Sequence, residues 1–502
     1  MKIKDLFAGL HVELCTDELS EVTSVTVDSR EVLDGSLFVA LSGANVDGHI
    51  FIEEAINKGA TAVVVNRSFM KNNKIVSNLR SKLIITKDTN KILGILASRF
   101  YNNPTGKLKV VGVTGTNGKT TVTHLIAKLL RDKKSKVGIL GTMGHNTGDA
   151  TYAAKNTTPN ALETQKMAHE LLVSGGEYLC MEVSSHAVAN HRVKGTDYDI
   201  AVFTNITQDH LDFHKTFENY RLVKGMFITS LGTQGEKNGK GKMVILNGDD
   251  PNYSYFQSVS LCTLITYGID GDFDVAAHNI EISLKCTKFS LKTWKGNIEI
   301  ETKLVGKFGV YNCLAAISVA LIEGMSLIEI QKAFRNIDGV SGRFERVRSN
   351  GDFVVIVDYA HTPDGLENVL KTATIIKQNR IILVFGCGGD RDKGKRPIMA
   401  QIAEKYADFS IVTNDNPRNE DPEKIIDDII GGFKDSKYEI ILDRKKAIEK
   451  AVKFAQKGDI ILIVGKGHET YQIIGDKTYE FNDKSVAEYI IRELDLNEID
   501  SK

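Results

Sequence analysis

The sequence predicts an α/β protein of about three domains, and three observations carry that expectation. A chain of 502 residues is too long to close around a single hydrophobic core. Strand-like apolar runs alternate with helical patterns in two separate stretches, which is the pattern of mostly parallel sheets wrapped by helices. Two turn-rich seams interrupt the chain, Tyr101–Lys109 (with Asn-Asn-Pro-Thr-Gly-Lys) and Gly339–Arg343 (Gly-Val-Ser-Gly-Arg). They give expected domains of residues 1–104, 105–342 and 343–502.

Composition narrows the class. Sixty-four basic and sixty-four acidic residues give a formal net charge of zero, which argues against a general binder of nucleic acid or membrane surfaces. The opening Met-Lys-Ile-Lys-Asp-Leu-Phe has no apolar core of signal-peptide length, and no later run is apolar enough to span a bilayer. The six cysteines (Cys15, Cys180, Cys262, Cys286, Cys313, Cys387) lack paired metal spacing and read as reduced thiols. A cytoplasmic enzyme is expected. Gly235–Lys242 reads as a short, solvated polar loop.

In the middle segment, the run Leu108–Val113 leads into Gly112–Thr121, which reads Gly-Val-Thr-Gly-Thr-Asn-Gly-Lys-Thr-Thr. Beyond it, Val122, Leu125, Ile126, Leu129 and Leu130 recur at helical spacing. A glycine-rich turn between a strand and a helix N-terminus aims backbone N–H groups and the helix dipole at one point, so that point binds phosphate. Lys119 then reaches the terminal phosphates, and the Thr120 hydroxyl suits Mg²⁺. Five residues rather than four separate Gly112 from Gly118-Lys119, so the loop is a variant. Gly389–Lys395 keeps the strict spacing, but Arg396 stands where a hydroxyl is needed, and it is set aside.

Further strands are expected at Lys136–Leu140, Tyr178–Val183, Ile200–Thr204 and Met243–Leu246. Polar residues cluster after them: Glu182 with Ser184, Ser185 and His186, then Asn205 and His210, then Asn247 and Asp249. Ligands of such sheets bind at the carboxyl ends of the strands. Glu182 suits Mg²⁺, and His210 suits a ligand or a base. Taken alone, each is as readily a structural hydrogen-bonder.

The last segment repeats the arrangement. Val354–Val357 runs into Asp358–Asp364, Ile381–Phe385 into Gly386–Lys393, Phe409–Thr413 into Asn414–Arg418, and Ile460–Val464 into Gly465–Glu469. Glycine or charge follows every strand, which makes a second ligand-binding rim. Arg391 and Arg418 are suited to clamping carboxylates. A nucleotide site and a separate rim together suggest two substrates joined with ATP.

Five motifs in this order now form a resemblance: Gly-Thr-Asn-Gly-Lys-Thr-Thr, Met-Glu-Val-Ser-Ser-His, Asp-His-Leu-Asp, Asp-Tyr-Ala-His-Thr-Pro and Gly-Lys-Gly-His-Glu. The set resembles the Mur ligases of peptidoglycan synthesis and covers all three expected domains. The resemblance implies an N-terminal α/β domain that binds the uridine nucleotide, a central P-loop ATPase-like domain with a parallel sheet, and a Rossmann-like C-terminal α/β domain. It implies ATP and Mg²⁺, and an acyl phosphate made from a substrate carboxylate and then attacked by an amine. Asp415-Asn416-Pro417-Arg418 resembles the branch selecting meso-2,6-diaminopimelate over L-lysine, whose other substrate is UDP-N-acetylmuramoyl-L-alanyl-D-glutamate.

Residue roles follow from the resemblance. ATP would meet Gly115, Thr116, Asn117, Gly118, Lys119, Thr120 and Thr121, with Asn312, Arg343 and Asp358. Thr120, Glu182 and His210 would surround the metals. Lys224, in Tyr-Arg-Leu-Val-Lys, matches a lysine the family carries as a carbamate (N6-carboxylysine), an anionic metal ligand; by sequence alone it is an ordinary helix lysine. The nucleotide-sugar would meet Ser29, Ala44, Asn45, Val46, Asn156, Thr157, Thr158, Ser184, Asn190 and Arg192. At Asn190 many relatives have glutamine. Diaminopimelate would meet Arg391, Asp415, Asn416, Pro417, Arg418, Gly465 and Glu469. A monomer with no nucleic-acid or membrane partner is expected. The rival readings are a lysine-adding homologue, a folylpolyglutamate-type synthetase and, from another class, a phosphate-loop switch or motor.

Overall fold

The computed structural model describes residues 1–500 apart from 44–45, 73–76, 238, 348–352 and 436. Three sheets succeed one another along the chain. The first holds β1 (Glu13–Leu14), β2 (Ser24–Thr26), β3 (Ser36–Val39), β4 (Ala62–Asn66) and β5 (Leu83–Thr86) in the order β1-β5-β4-β3-β2. Only β1 runs antiparallel to its neighbour. Strands β3, β4 and β5 are apolar on both faces because helices or loops cover each side.

The central sheet contains β6 (Lys109–Thr114), β7 (Val137–Gly141), β8 (Gly144–Asn146), β9 (Thr151–Tyr152), β10 (Tyr178–Glu182), β11 (Ile200–Phe203) and β12 (Met243–Asn247), then β13 (Thr263–Ile269), β14 (Val275–Ile282), β15 (Thr287–Thr293) and β16 (Gly296–Thr302). Their order is β16-β15-β14-β13-β12-β11-β6-β10-β7-β8-β9. The stretch from β14 to β7 is parallel, and antiparallel strands extend both edges. Helix Lys119–Asp132 packs on one face beside helix Lys307–Ile322; Val122, Leu125, Ile126, Leu129 and Leu130 all sit in that core. The other face carries helices Ala161–Val173 and Phe217–Gly232.

The third sheet orders β17 (Glu345–Val347), β18 (Val354–Asp358), β19 (Ile381–Phe385), β20 (Phe409–Val412), β21 (Tyr438–Ile440) and β22 (Ile460–Val464) as β17-β18-β22-β19-β20-β21. All but β17 are parallel. Helices cover both faces, and a hairpin of β23 (Tyr471–Ile474) and β24 (Lys477–Glu480) follows β22.

One expectation is corrected. Gly235–Lys242 is not simply solvated: Lys237 and Lys242 are buried. Lys237 Nζ donates to Thr105 O (2.6 Å), to Leu108 O and to Asp199 Oδ2 (2.7 Å), and Lys242 Nζ to Asp197 and to Tyr198 O (2.7 Å). The charges are satisfied by carbonyls and carboxylates distant in sequence, so the loop pins the seam that precedes β6. Arg396, set aside as a nucleotide residue, is fully enclosed and paired with Glu420 and Asp428, which makes it a brace of the third domain.

Candidate active site

β6 lies between β11 and β10, where successive strands diverge to opposite sides, and ligands bind at such a switch point. The loop after β6 brings the N-terminus of helix Lys119–Asp132 to that crevice. Gly118 has φ +86, and a Cβ there would stand 2.5 Å from Asn312 Oδ1, so glycine is required for both conformation and space. Asn312 therefore rests against the loop. The backbone N–H groups of Thr116 and Asn117 donate to Asn205 O (2.8 Å) and Asn205 Oδ1 (2.9 Å).

Lys119 Nζ donates to Gly115 O (2.9 Å) and Thr116 O (2.7 Å). Lys224, on helix Phe217–Gly232, is buried and donates to the same Gly115 carbonyl at 2.7 Å, with its ammonium 4.7 Å from the Tyr220 ring. Burial pushes both lysines down in pKa; for Lys224, Lys119 adds repulsion and the drop is large. A lysine driven toward its neutral amine is a nucleophile for carbon dioxide.

Glu182 ends β10 and is buried. Its Oε2 accepts from the hydroxyls of Thr120 (2.9 Å) and Thr142 (3.1 Å), and its Oε1 from Thr142 N (2.8 Å). A carboxylate beside a phosphate-loop hydroxyl is an oxygen donor set that fits Mg²⁺. His210, at φ +56, stands with Nε2 3.3 Å from Asp209 Oδ2 and its ring 4.8 Å from that of His186. Burial pushes its pKa down to about 3 against the pull of Asp209, so the ring is neutral and keeps a lone pair for a metal. Lys224 does not fit a cation as an ammonium; it fits as a carbamate.

The third domain reaches this centre across the seam. Arg343 lies flat over Tyr359, 4.3 Å from the ring centroid, and its Nη2 donates to Thr120 Oγ1 at 3.2 Å. Asp358 lines the same space, but Phe344 N (2.6 Å) and Ala360 N (2.7 Å) occupy its two carboxylate oxygens. It thereby shapes the turn that aims Arg343. Asn117 Nδ2 donates to Asp364 Oδ2 at 2.7 Å, a link between the phosphate loop and helix Pro363–Ile376.

A cavity of about 1540 Å³ extends from Gly115–Thr121 past Asn156, Thr157, Ser184, Arg192 and His210 to Arg391, Arg418 and Glu469. Thr158 is buried behind it, with its hydroxyl on Glu182 O (2.7 Å), and Arg192 Nη1 donates to Thr158 O (3.4 Å). Thr121 is buried on the first turn of the phosphate-loop helix. Asn190 is exposed at the end of helix Ser185–Ala189 and does not line the cavity. Ser29 also lies apart from it, buried with its hydroxyl on Glu54 Oε2 (3.2 Å); Val46 is exposed, and Ala44 and Asn45 fall outside the described residues.

At the far end, Arg418 (φ +53) donates from Nη1 to Gly389 O at 2.8 Å, and Arg391 is exposed beside Asp390. Pro417 and Asn416 are buried. Asn416 Nδ2 donates to Glu469 Oε2 (2.9 Å), and Lys466 Nζ donates to Asn416 Oδ1 (3.0 Å) and Glu469 Oε2 (2.8 Å). Asp415 Oδ2 is buried without a hydrogen-bond partner among the described residues, an acceptor left for something else. Gly465, at φ +114, leaves room for it: a Cβ would stand 2.6 Å from that oxygen.

Sequence reasoning gave no individual role to Asp209, His186, Tyr220, Asp364 and Lys466. All five lie inside segments it used, where neighbours drew the attention.

A phosphate loop, a buried carboxylate beside its hydroxyl and a third-domain rim opening into one cavity are the parts of an ATP-dependent ligase. The Mur ligase family catalytic-domain model matches residues 21–101, the Mur ligase middle-domain model 113–320, and the Mur ligase glutamate ligase domain model 342–467. The chain is 46% identical over 475 residues to the UDP-N-acetylmuramoyl-L-alanyl-D-glutamate–2,6-diaminopimelate ligase of Geobacillus thermodenitrificans, covering 94% of this chain and 95% of that protein. The Bacillus cereus ligase of the same name is 45% identical over 492 residues, 98% of each. A solved structure of a ligase so named superposes with a TM-score of 0.69 at 31% identity, over 99% of both chains. A MurF ligase from Thermotoga maritima in complex with ADP shares the fold, with a TM-score of 0.63 at 19% identity over 96% and 98% of the two chains. The chain belongs to the Mur ligase family.

Proposed function

We propose that the chain joins meso-2,6-diaminopimelate to the D-glutamate of UDP-N-acetylmuramoyl-L-alanyl-D-glutamate, with ATP as the energy source, in peptidoglycan precursor synthesis. The observation that carries this reading is the single cavity linking the phosphate loop to the arginine-bearing rim. Phosphoryl donor, acceptor acid and incoming amine can all reach one another inside it.

The backbone N–H groups of Gly115–Thr121 cradle the phosphates and Lys119 neutralises the group in transfer. Asn312 borders the adenine side, and Arg343 braces Thr120 from the third domain. Thr120, Glu182, His210 and the carbamate of Lys224 are the residues that would hold Mg²⁺; the ion supplies charge neutralisation of the phosphates. Arg192 and Ser184, with Asn156 and Thr157, hold the muramoyl peptide, and Thr158 supports Arg192 and the end of β10 from behind. Ser29 and the segment of residues 44–46 belong to the uridine end, and Asn190 to the outer margin. The glutamyl carboxylate oxygen attacks the γ-phosphorus, and ADP leaves. The amine then attacks the carbonyl carbon of the acyl phosphate, and the tetrahedral intermediate expels phosphate.

Asp415 and Glu469 receive the ammonium group of diaminopimelate's distal centre, and Asn416, Arg391 and Arg418 its carboxylate; Gly465 and Pro417 give the pocket its shape. Residues 1–104, 105–342 and 343–502 serve as the nucleotide-sugar, ATP and amino-acid domains. The chain would act as a monomer, and the use of ATP and a UDP-linked precursor suits the cytoplasm. Among the described residues no helix is long and apolar enough to cross a membrane. Phosphate release from ATP tests the whole reading. It should need both the UDP-muramoyl dipeptide and diaminopimelate; turnover independent of either points to a switch or motor.

A further inference from the structure

Arg444 opens helix Arg444–Phe454, behind the third-domain rim and outside every motif read from the sequence. Its side chain is fully enclosed, as is that of Asp483 at the start of the last helix. Nε and Nη2 donate to the two carboxylate oxygens of Asp483, each at 2.7 Å. The remaining capacity goes to the main chain: Nη2 donates to Val464 O at 2.9 Å and Nη1 to Asn414 O at 3.2 Å.

Those carbonyls belong to the residues immediately before Gly465 and Asp415. They follow different strands, since β19 lies between β22 and β20 in the sheet. One rigid planar fork thus spans the two strand ends and ties together the two loops that face each other across the rim. The spacing between those loops is tight. Asp415 Oδ2 points at Gly465 where no side chain fits, and Asn416 is bonded across the gap to Lys466 and Glu469. With both oxygens of Asp483 engaged, the guanidinium has no freedom to swing, so the loop spacing is fixed from behind.

We propose that Arg444, held by Asp483, is a positioning residue that sets the separation of the 414–418 and 465–469 loops and so the affinity for the amino-acid substrate. This rests on the reading that those loops form the diaminopimelate pocket. A general brace of the core would act differently, lowering stability without selecting among substrates.

The test compares Arg444→Lys, Arg444→Met, Asp483→Asn and Asp415→Asn with the wild type, with KM measured for all three substrates and thermal melting recorded. Arg444→Lys, which keeps the charge but not the fork, should raise the KM for diaminopimelate about tenfold or more, as small misplacements of a binding group do. Its kcat and its KM for ATP and for the UDP-muramoyl dipeptide should change less than about threefold, and Arg444→Met should be worse than Arg444→Lys. Asp483→Asn should shift the same constant in the same direction. An unchanged diaminopimelate KM in Arg444→Lys, an equal rise in all three KM values, or loss of folding in both Arg444→Lys and Asp483→Asn overturns the proposal. If Asp415→Asn raises the diaminopimelate KM and Arg444→Lys does not, only the role of Arg444 falls; if Asp415→Asn has no effect, the pocket reading itself falls.

Discussion

Selection between diaminopimelate and lysine should rest on Arg418, and the geometry permits a magnitude. The backbone of Arg418 is held from both sides, its N–H on Ile473 O (3.2 Å) and its carbonyl accepting from Gly475 N (2.7 Å). Arg418→Ala therefore removes a guanidinium without releasing the loop. The wild-type side chain commits only Nη1, to Gly389 O at 2.8 Å and Asn416 O at 3.4 Å. Its other donors have no protein acceptor among the described residues. Burial, then the nearby Arg391, pushes its pKa down against the pull of Asp415 and Glu469, so the buried charge is costly until an anion arrives. A carboxylate about 4 Å away at an effective dielectric near 20 gains about 4 kcal/mol. Lysine lacks that carboxylate and leaves the cation unpaired, so discrimination of about 10³- to 10⁴-fold in kcat/KM is expected. Phosphate release with each amino acid gives the ratio directly. Arg418→Ala should lose diaminopimelate use by a similar factor and leave the small lysine activity nearly unchanged. Equal use of the two amino acids by the wild type, or an unaltered ratio in Arg418→Ala, would refute the reasoning.

Two further outcomes are expected. Lys224→Ala should lose activity by about 10²-fold or more, as removal of one preorganised charge does, and short carboxylic acids should restore part of it; the absence of rescue by any of them counts against a carbamate. Acid should destabilise the fold through three half-buried histidines. Burial holds His124, His361 and His468 at about 4, against 6.5 for a free histidine, with repulsion from Arg131 and Arg343 on His124, Lys395 on His361 and Arg343 on His468. The unfolded chain then binds more protons between those values, so stability is complete above pH 6.5 and falls as pH drops toward 4, by up to about 3 kcal/mol per histidine. Melting temperatures from pH 7 to 4 check this: His361→Gln with His468→Gln should flatten the fall, and a slope identical to wild type would remove these groups from the account.

Strands buried on both faces were legible almost to the residue. Ile381–Phe385 and Ile460–Val464 are β19 and β22 as expected, because a strand covered on both sides must be a continuous apolar run. The antiparallel extension β14–β16 left no comparable signal, since its strands alternate exposed lysine and glutamate with buried residues and lie at a sheet edge. The site was legible wherever its residues sit within a few positions of a strand end. It was opaque wherever function depends on distant pairing. Asn117 and Asp364 are separated by 247 residues and Arg444 and Asp483 by 39, and neither asparagine nor aspartate announces such a partner. Lys237 misled for the same reason: local composition shows its charge but not the carbonyls that surround it.

Distant pairs of the same kind tie the phosphate loop to the third domain. The Thr120 hydroxyl donates to Glu182 and accepts from Arg343, so a single oxygen joins the central domain's buried carboxylate to the seam before the third domain. Asn117 makes the second join, from the phosphate loop to the helix that follows Asp358. Both contacts come from the loop that would hold the nucleotide, and both depend on the third domain being docked. Asp358 spends its carboxylate on the turn that aims Arg343, and β18, which it ends, pairs with β22, which leads into Gly465 and Glu469. The amino-acid rim and the contacts that complete the phosphate site are therefore carried by the same domain. A third domain held away would leave Thr120 without Arg343 and the cavity open to solvent, and ATP would not be committed before the amine-bearing pocket is in place.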